Sequence, residues 1–413
     1  MLFHFLAFSA ILQQETDVSN DIEDETLQLL LLGNSKLDKA HKKRLHQKAF
    51  YHGLSMKERR RRRMCMPVAS LLAPANAPFN KVLKSKSDQG LIALTGFDFK
   101  TFEHLKMLFQ PLFLGLSPHS EDGKIHKLKQ TRGKKRKVDA ANCLGLYLTW
   151  CRTTGSNKVL QLIFGLSSQA VSIYLRFARR ILITVLSEHE DAKFKMPSDQ
   201  KILEFKAVVE DRFPLLDDAA FSMDGLKVKL ENAGNPFVQN RYYNGWKSET
   251  WVVNVLCFTP DGKIVLAGLN MPGSYHDSKV AHQLGVYETL RTLHTRIGVK
   301  TVVDSAFDTS DRNRDLFYKS GVLPSLRDGP QAIARNAQAT SFRQCSEWGM
   351  QAVQGLFPRV ADVLKFEEKG ERGRILLSIF LLYNLRCSRV GQNQLDSVYD
   401  GWRDDFIARG GHV

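Results

Sequence analysis

Residues Ala219–Leu230 read AAFSMDGLKVKL. The stretch is apolar in its first half and alternates apolar with polar in its second, the pattern of a β-strand. It holds one carboxylate, Asp224, followed by Gly225. A charge within an apolar strand is costly unless something partners it. A second apolar run, Lys300–Phe307 (KTVVDSAF), carries Asp304, and Ser341–Phe357, which reads as a helix, carries Glu347. Two strand-borne Asp and a helix-borne Glu, separated by 79 and then 42 intervening residues, can meet only by folding, at one edge of a sheet. Such a set of oxygens suits Mg²⁺ or Mn²⁺. Two such ions, ~3.5–4 Å apart, activate an attacking oxygen and stabilise a leaving one in phosphodiester chemistry. The alternative is that each carboxylate caps a strand or pairs with an arginine. Asp277 is the rival to Asp304 as second ligand.

Around this stretch the chain alternates strands and helices. Thr250–Phe258 (TWVVNVLCF) and Lys263–Asn270 (KIVLAGLN) flank a Pro260-Asp261-Gly262 turn and read as a hairpin. Met271–Val280 (MPGSYHDSKV) leads into a helix over Lys279–Leu293. Arg312–Ser320 reads as helix, Gly321–Gln338 as loop, and helices are predicted over Ser341–Phe357 and Glu371–Ser388. The order of elements predicts an α/β fold with a mixed sheet.

Upstream the pattern is helical. Apolar spacing predicts two short helices around GFDF within Gly90–Phe113, the second ended by Pro111. Asn157–Phe164, a break at Gly165-Leu166-Ser167, and Ser168–Leu186 match a helix-turn-helix. Its second helix would be capped by Ser167 or Ser168. Ser168, Gln169, Ser172 and Tyr174 could then face a major groove, with Arg176, Arg179 and Arg180 near phosphates. A plain helical hairpin gives the same pattern. Asp199–Asp211, between Pro197 and Pro214, reads as the helix that connects to the strands.

The chain of 413 residues has 43% hydrophobic and 25% charged residues, an ordinary globular composition, but a net charge of +16 and a pI near 9.5. That excess points to a polyanion, nucleic acid before a membrane surface. Lys36–Arg63 holds twelve Lys and Arg against two acids and ends in five consecutive Arg; Glu15–Glu25 before it holds six acids. Lys124–Lys137 holds eight Lys and Arg and no acid, and its end, Lys134-Lys135-Arg136-Lys137-Val138, is like a nuclear-import signal that could equally grip phosphates. A nuclear location follows. Met1–Leu12 is apolar like the core of a signal peptide, but no basic segment precedes it and no small-residue cleavage site follows. No apolar run approaches the ~20 residues of a membrane span. The six cysteines are scattered without a CxxC pair, which indicates neither a zinc site nor a disulfide framework.

From Ala220 to about Phe357 the sequence resembles the endonuclease domain of PIF/Harbinger-type transposases. The resemblance is carried by SMDG around Asp224, RYYNGWK (Arg241–Lys247), the apolar hairpin, MPGSYHDS (Met271–Ser278), VVDSAF around Asp304 and RQCSEW around Glu347. It implies an RNase H-like mixed sheet flanked by helices, with Asp224, Asp304 and Glu347 as a catalytic triad holding Mg²⁺ or Mn²⁺. It implies a transposon-encoded enzyme that cuts DNA at element ends and joins the 3′-hydroxyl to target DNA. A Myb-like accessory protein and self-association into a homo-oligomer are the partners expected beside DNA. Lys247, His276 and Arg343 become candidate DNA contacts, and Trp246 and Trp348 could stack on a base. The domain organisation expected is a basic, partly unstructured region over 1–88, a helical helix-turn-helix-type domain over 89–195, and the endonuclease over 196–413. The sequence departs from the family where Ala306-Phe307 replaces the usual Gly-Tyr after the second Asp, and where Trp348 replaces an Arg after Glu347. Both changes spare the carboxylates. The alternative is a domesticated, inactive nuclear DNA-binding protein that keeps the fold.

Overall fold

Five strands between residues 219 and 319 form the sheet that positions everything else, and a two-residue sixth lies at its edge. The computed structural model describes residues 66–118, 136–245, 248–307, 310, 313–321, 329–366, 369–391 and 393–412. The expected N-terminal basic region up to Arg63, Lys134, Lys135, Trp246 and Lys247 lie outside the described residues.

The strands are β1 (Ala219–Lys229), β2 (Tyr243–Asn244), β3 (Glu249–Phe258), β4 (Ile264–Pro272), β5 (Lys300–Val303) and β6 (Phe317–Lys319). β1 runs antiparallel to β3 and parallel to β5; β3 pairs with β4 and β2, and β5 with β6 in parallel. The β3–β4 hairpin is the one expected from the Pro260-Asp261-Gly262 turn, where Gly262 takes the positive φ of 86° that the turn requires. Side chains alternate across β1. Phe221 and Met223 belong to one core, and Leu226, Val228 and Leu230 to the other.

Helices cover both faces. Before the sheet come α1 (Pro78–Ser85), α2 (Asp88–Thr95), α3 (Phe99–Gly115), α4 (Ala140–Arg152), α5 (Lys158–Phe164), α6 (Ser168–Glu188) and α7 (Asp199–Arg212). Within and after it come α8 (Pro236–Asn240), α9 (Asp277–Gln283), α10 (Val286–Ile297), α11 (Gly329–Leu356), α12 (Lys369–Arg389) and α13 (Gln394–Ala408). The larger core joins α1–α6 and α12 to one face of the sheet, and the other face is covered by α7, α9 and α10. Helices from both sides of residue 195 therefore share one core, and Val68–Val413 is one compact unit. Among the described residues no helix is long and apolar enough to cross a membrane. Cys143, Cys151, Cys257, Cys345 and Cys387 are buried free thiols.

Several expectations need correction. Pro111 does not end its helix; α3 continues to Gly115. Met107, whose carbonyl would have accepted the missing N–H bond, is exposed, as is Pro111, so water can serve the carbonyl. The predicted helix after Met271 is two helices, α9 and α10, broken where Gly285 adopts φ 70°. Of the helix expected over Arg312–Ser320, the described residues from Asn313 on are not α-helical: a short 3₁₀ turn over Arg314–Leu316 leads into β6, whose three residues are too few to show a period. The expected loop over Gly321–Gln338 gives way to helix from Gly329, nine residues before its predicted end.

Candidate metal centre

Parallel register sets the site. Met223 of β1 pairs with Val303 of β5, so the residues that follow them, Asp224 and Asp304, stand on neighbouring strands. β5 ends at Val303, which frees the Asp304 backbone to turn, and Asp304 Oδ1 accepts from the Ala306 N–H at 2.9 Å. The third carboxylate to arrive is Asp277, the first residue of α9, on the loop that carries PGSYHDS. Oxygens of Asp224, Asp277 and Asp304 lie within 4.8 Å of one another. Asp277 is 7% exposed, and its Oδ1 is buried without a hydrogen-bond partner.

Gly225 makes this convergence possible. A Cβ built on it would stand 2.4 Å from Asp277 Oδ2, so any side chain there would occupy the space the carboxylate fills. In the sequence Gly225 has no apparent role beyond following Asp224; what it needs to accommodate comes from 52 residues away.

Glu347 reaches the site differently. It lies on α11 and is paired with Arg343 one turn earlier, Nη2 to Oε1 at 2.6 Å. The same guanidinium donates through Nη1 to Asp224 Oδ2 at 3.0 Å. Arg343 thus stands between two members of the expected triad, and Asp277 is the third member of the carboxylate cluster. α11 is fixed to β1 beside them by Ser222 Oγ and Ser346 Oγ, 2.9 Å apart in the buried interface.

Electrostatics follow from crowding. The Asp224 carboxyl is pushed up to about 6, chiefly by burial and with a contribution from Asp304 and Asp277, while the Gly225 N–H (2.7 Å) and Arg343 oppose the rise. Burial and the Asp304 charge likewise raise Asp277, against Lys227 and His276. Three carboxylates at this separation, one with an oxygen that nothing else satisfies, form the hard-oxygen donor set that a divalent cation takes. Charge and chemistry both fit Mg²⁺ or Mn²⁺, and Asp224, Asp277 and Asp304 are the residues placed to hold it.

Residues 223–384 match the DDE superfamily endonuclease family. The match takes in β1 from Met223, both other aspartates, Arg343 and Glu347, and ends within α12. Comparison with curated proteins and with solved structures gives no match. The match supports a nuclease acting on DNA, in a superfamily that uses divalent metal.

Of the other candidates within the matched segment, His276 is exposed at the N-terminus of α9, without a side-chain cap bond. Trp348 is half-buried against the small core of Phe342 and Val302. Outside it, Gly165 ends α5 at φ 64° and Ser167 caps α6, so the predicted hairpin turn is present. Ser168, Gln169, Ser172 and Arg176 are exposed on α6. Tyr174 does not face outward: it is 6% exposed and its hydroxyl accepts from the Lys137 N–H. Arg179 is buried and ion-paired with Glu371. Arg136 is engaged at the end of α3, donating to the Leu116 carbonyl at 2.7 Å and lying over the Phe113 ring, whereas Lys137 is exposed.

Proposed function

We propose that the chain is a metal-dependent DNA endonuclease of the transposase kind. It would hydrolyse phosphodiesters at the ends of its element and join the released 3′-hydroxyl to target DNA. The observation that carries this reading is the meeting of Asp224, Asp304 and Asp277 inside the segment that matches the endonuclease family. The strand order, three antiparallel strands followed by two parallel ones, supports an RNase H-like sheet. Mg²⁺ or Mn²⁺ bound there supplies activation of the attacking oxygen and stabilisation of the leaving one. Asp224 would present its oxygens from β1, Asp304 from the turn directly after β5, and Asp277 from the start of α9. Glu347 approaches the cluster from α11 through Arg343; the transposase resemblance makes it the third metal-holding carboxylate, a role it would take once Arg343 lets it go. Arg343 is the cation bonded to both Asp224 and Glu347, and it would meet a phosphate charge and release Glu347 when it does. His276 lies at the rim, where it would contact DNA. A Myb-like partner, self-association and a nuclear location belong to the same reading.

One observation favours a second reading. Arg343 ties Asp224 and Glu347 together. If that bridge is permanent, the protein is a domesticated DNA-binding protein without catalysis. Nicking of DNA carrying the element's ends, in Mg²⁺ and in Mn²⁺, separates the two when the parent is compared with Asp304→Asn. Cleavage by the parent alone supports the nuclease. Binding without cleavage by either, beside an active control enzyme, supports the second reading.

A further inference from the structure

Helix α6 meets α12 across a seam crowded with guanidinium groups. Arg179 and Arg180 come from α6 and Arg374 from α12, and Arg176 stands one turn before Arg180 on the exposed side. They share one carboxylate among the described residues. Glu371 is ion-paired with Arg179 and with Arg374, and lies 3.8 Å from Arg180. Among the described residues, four cations there face one anion. The side chains of Arg179 and Arg180 are only 6% and 12% exposed, so water screens their charges poorly. The Nε–H donors of both are buried and have no hydrogen-bond partner. Buried donors are nearly always satisfied, and confined like charges are costly without a counter-charge.

The missing component is an anion with several oxygens. The approach to it runs along α6. Ser168, Ser172, Arg176 and Arg180 follow one another at four-residue steps along α6, and the first three are exposed. This stripe leads from solvent into the seam, where Arg374, 39% exposed, closes the far side. A phosphodiester offers a single charge on two free oxygens, which suits guanidinium forks. A row of phosphates, as DNA provides, would run along the stripe.

We propose that the α6–α12 seam is a phosphate site for the DNA backbone, held by Arg180 and Arg374 with Arg176 at the neighbouring phosphate. The proposal rests on the reading of the chain as a DNA-binding protein. It gives α6 a positioning role, because phosphate contacts fix register without reading sequence. The major-groove role expected for this helix is not required.

The test uses the full chain, a blunt duplex of arbitrary sequence and no divalent metal, with binding measured from low to high KCl. In the Arg180→Gln/Arg374→Gln variant the slope of log Kobs against log salt should shrink by about 1, since the two side chains share one phosphate and each neutralised phosphate contributes about 0.9. Affinity at moderate salt should fall by about tenfold or more. The Arg180→Lys/Arg374→Lys variant keeps the charges and should keep most of the slope. Melting curves establish that the variants fold; should the double Gln variant not fold, Arg176→Gln alone should lower the slope by about 1. An unchanged slope in a folded Gln variant overturns the site, and so does a parent that binds no duplex. Nicking by the parent with an unchanged slope would sink the seam and leave the nuclease standing. A lowered slope in a protein that never nicks would keep the seam and sink the nuclease.

Discussion

Gly225 and Asp277 occupy one place: the carboxylate of Asp277 fills the volume in which a side chain on residue 225 would begin, 2.4 Å from the position of its Cβ. Gly225→Ala should therefore displace Asp277 and the start of α9 while leaving Asp224 in its strand. The expected result is a folded protein that binds Mn²⁺ at least about tenfold more weakly, because even partners of metal ligands typically control 10–100-fold in affinity. Calorimetric titration with Mn²⁺ checks it. Unaltered affinity would remove Asp277 from the centre.

Asp277 and Glu347 make different claims on the third position. Asp277 has an unsatisfied buried oxygen beside Asp224 and Asp304, whereas Glu347 is held by Arg343. In the absence of DNA, Asp277→Asn should weaken Mn²⁺ binding by about tenfold or more, and Glu347→Gln should weaken it by a smaller factor, because Glu347 is occupied by Arg343. Nicking should be lost in both, if Arg343 releases Glu347 to a bound phosphodiester. A Glu347→Gln enzyme that nicks normally would exclude Glu347 from catalysis.

The crowding of Asp224 has a pH signature in the metal-free protein. Its carboxyl titrates near 6 in the folded chain against 3.8 otherwise, raised chiefly by burial. Between those values the folded state binds the proton and the unfolded state does not. Stability is therefore highest below about pH 4 on this account and declines as pH rises to about 6, by roughly 3 kcal/mol for a shift of this size. Asp224→Asn should abolish that decline. At neutral pH the variant should gain up to about 3 kcal/mol, the attraction of Arg343 being already contained in that shift. Denaturant melts of both proteins in a chelator between pH 4 and 7 measure the difference. Saturating Mn²⁺ should stabilise the parent and leave Asp224→Asn nearly unaffected.

Phe79 anchors α1 to the rest of the molecule. It is fully buried, packs on Phe164 with ring centroids 4.7 Å apart, and touches the helix α4 backbone so closely that a Cβ on Gly145 would meet its ring at 2.1 Å. Phe79→Ala should cost about 3–5 kcal/mol through the cavity it leaves. Gly145→Ala should cost about 1–3 kcal/mol by overpacking. A chain truncated at residue 88, the expected limit of the basic region, should melt lower for the same reason. Equal melting temperatures for truncated and full chains would show that α1 is dispensable.

The sequence by itself determined what depends on neighbours in the chain. Apolar alternation marked β1, the Pro-Asp-Gly turn marked the β3–β4 hairpin, and Gly165 with the Ser167 cap marked the break between α5 and α6. It also singled out Asp224, Asp304 and Glu347, because a carboxylate in or beside an apolar run has to have a reason to be there, and it carried the transposase resemblance. The tertiary structure decided what depends on distance. Parallel pairing of β1 with β5 placed Asp224 beside Asp304, and the missing side chain of Gly225 admitted Asp277. Arg343, which spacing on the helix pairs with Glu347, was also brought to Asp224 by the packing of α11 on β1. Tyr174 and Arg179, polar residues on a helix read as facing DNA, turned inward because other parts of the chain cover α6: Lys137, and Cys143 of α4, meet Tyr174, and Glu371 of α12 meets Arg179. Local patterning sets which residues can form an element; which of its faces is buried, and which charges meet there, is settled only when another part of the chain packs against it.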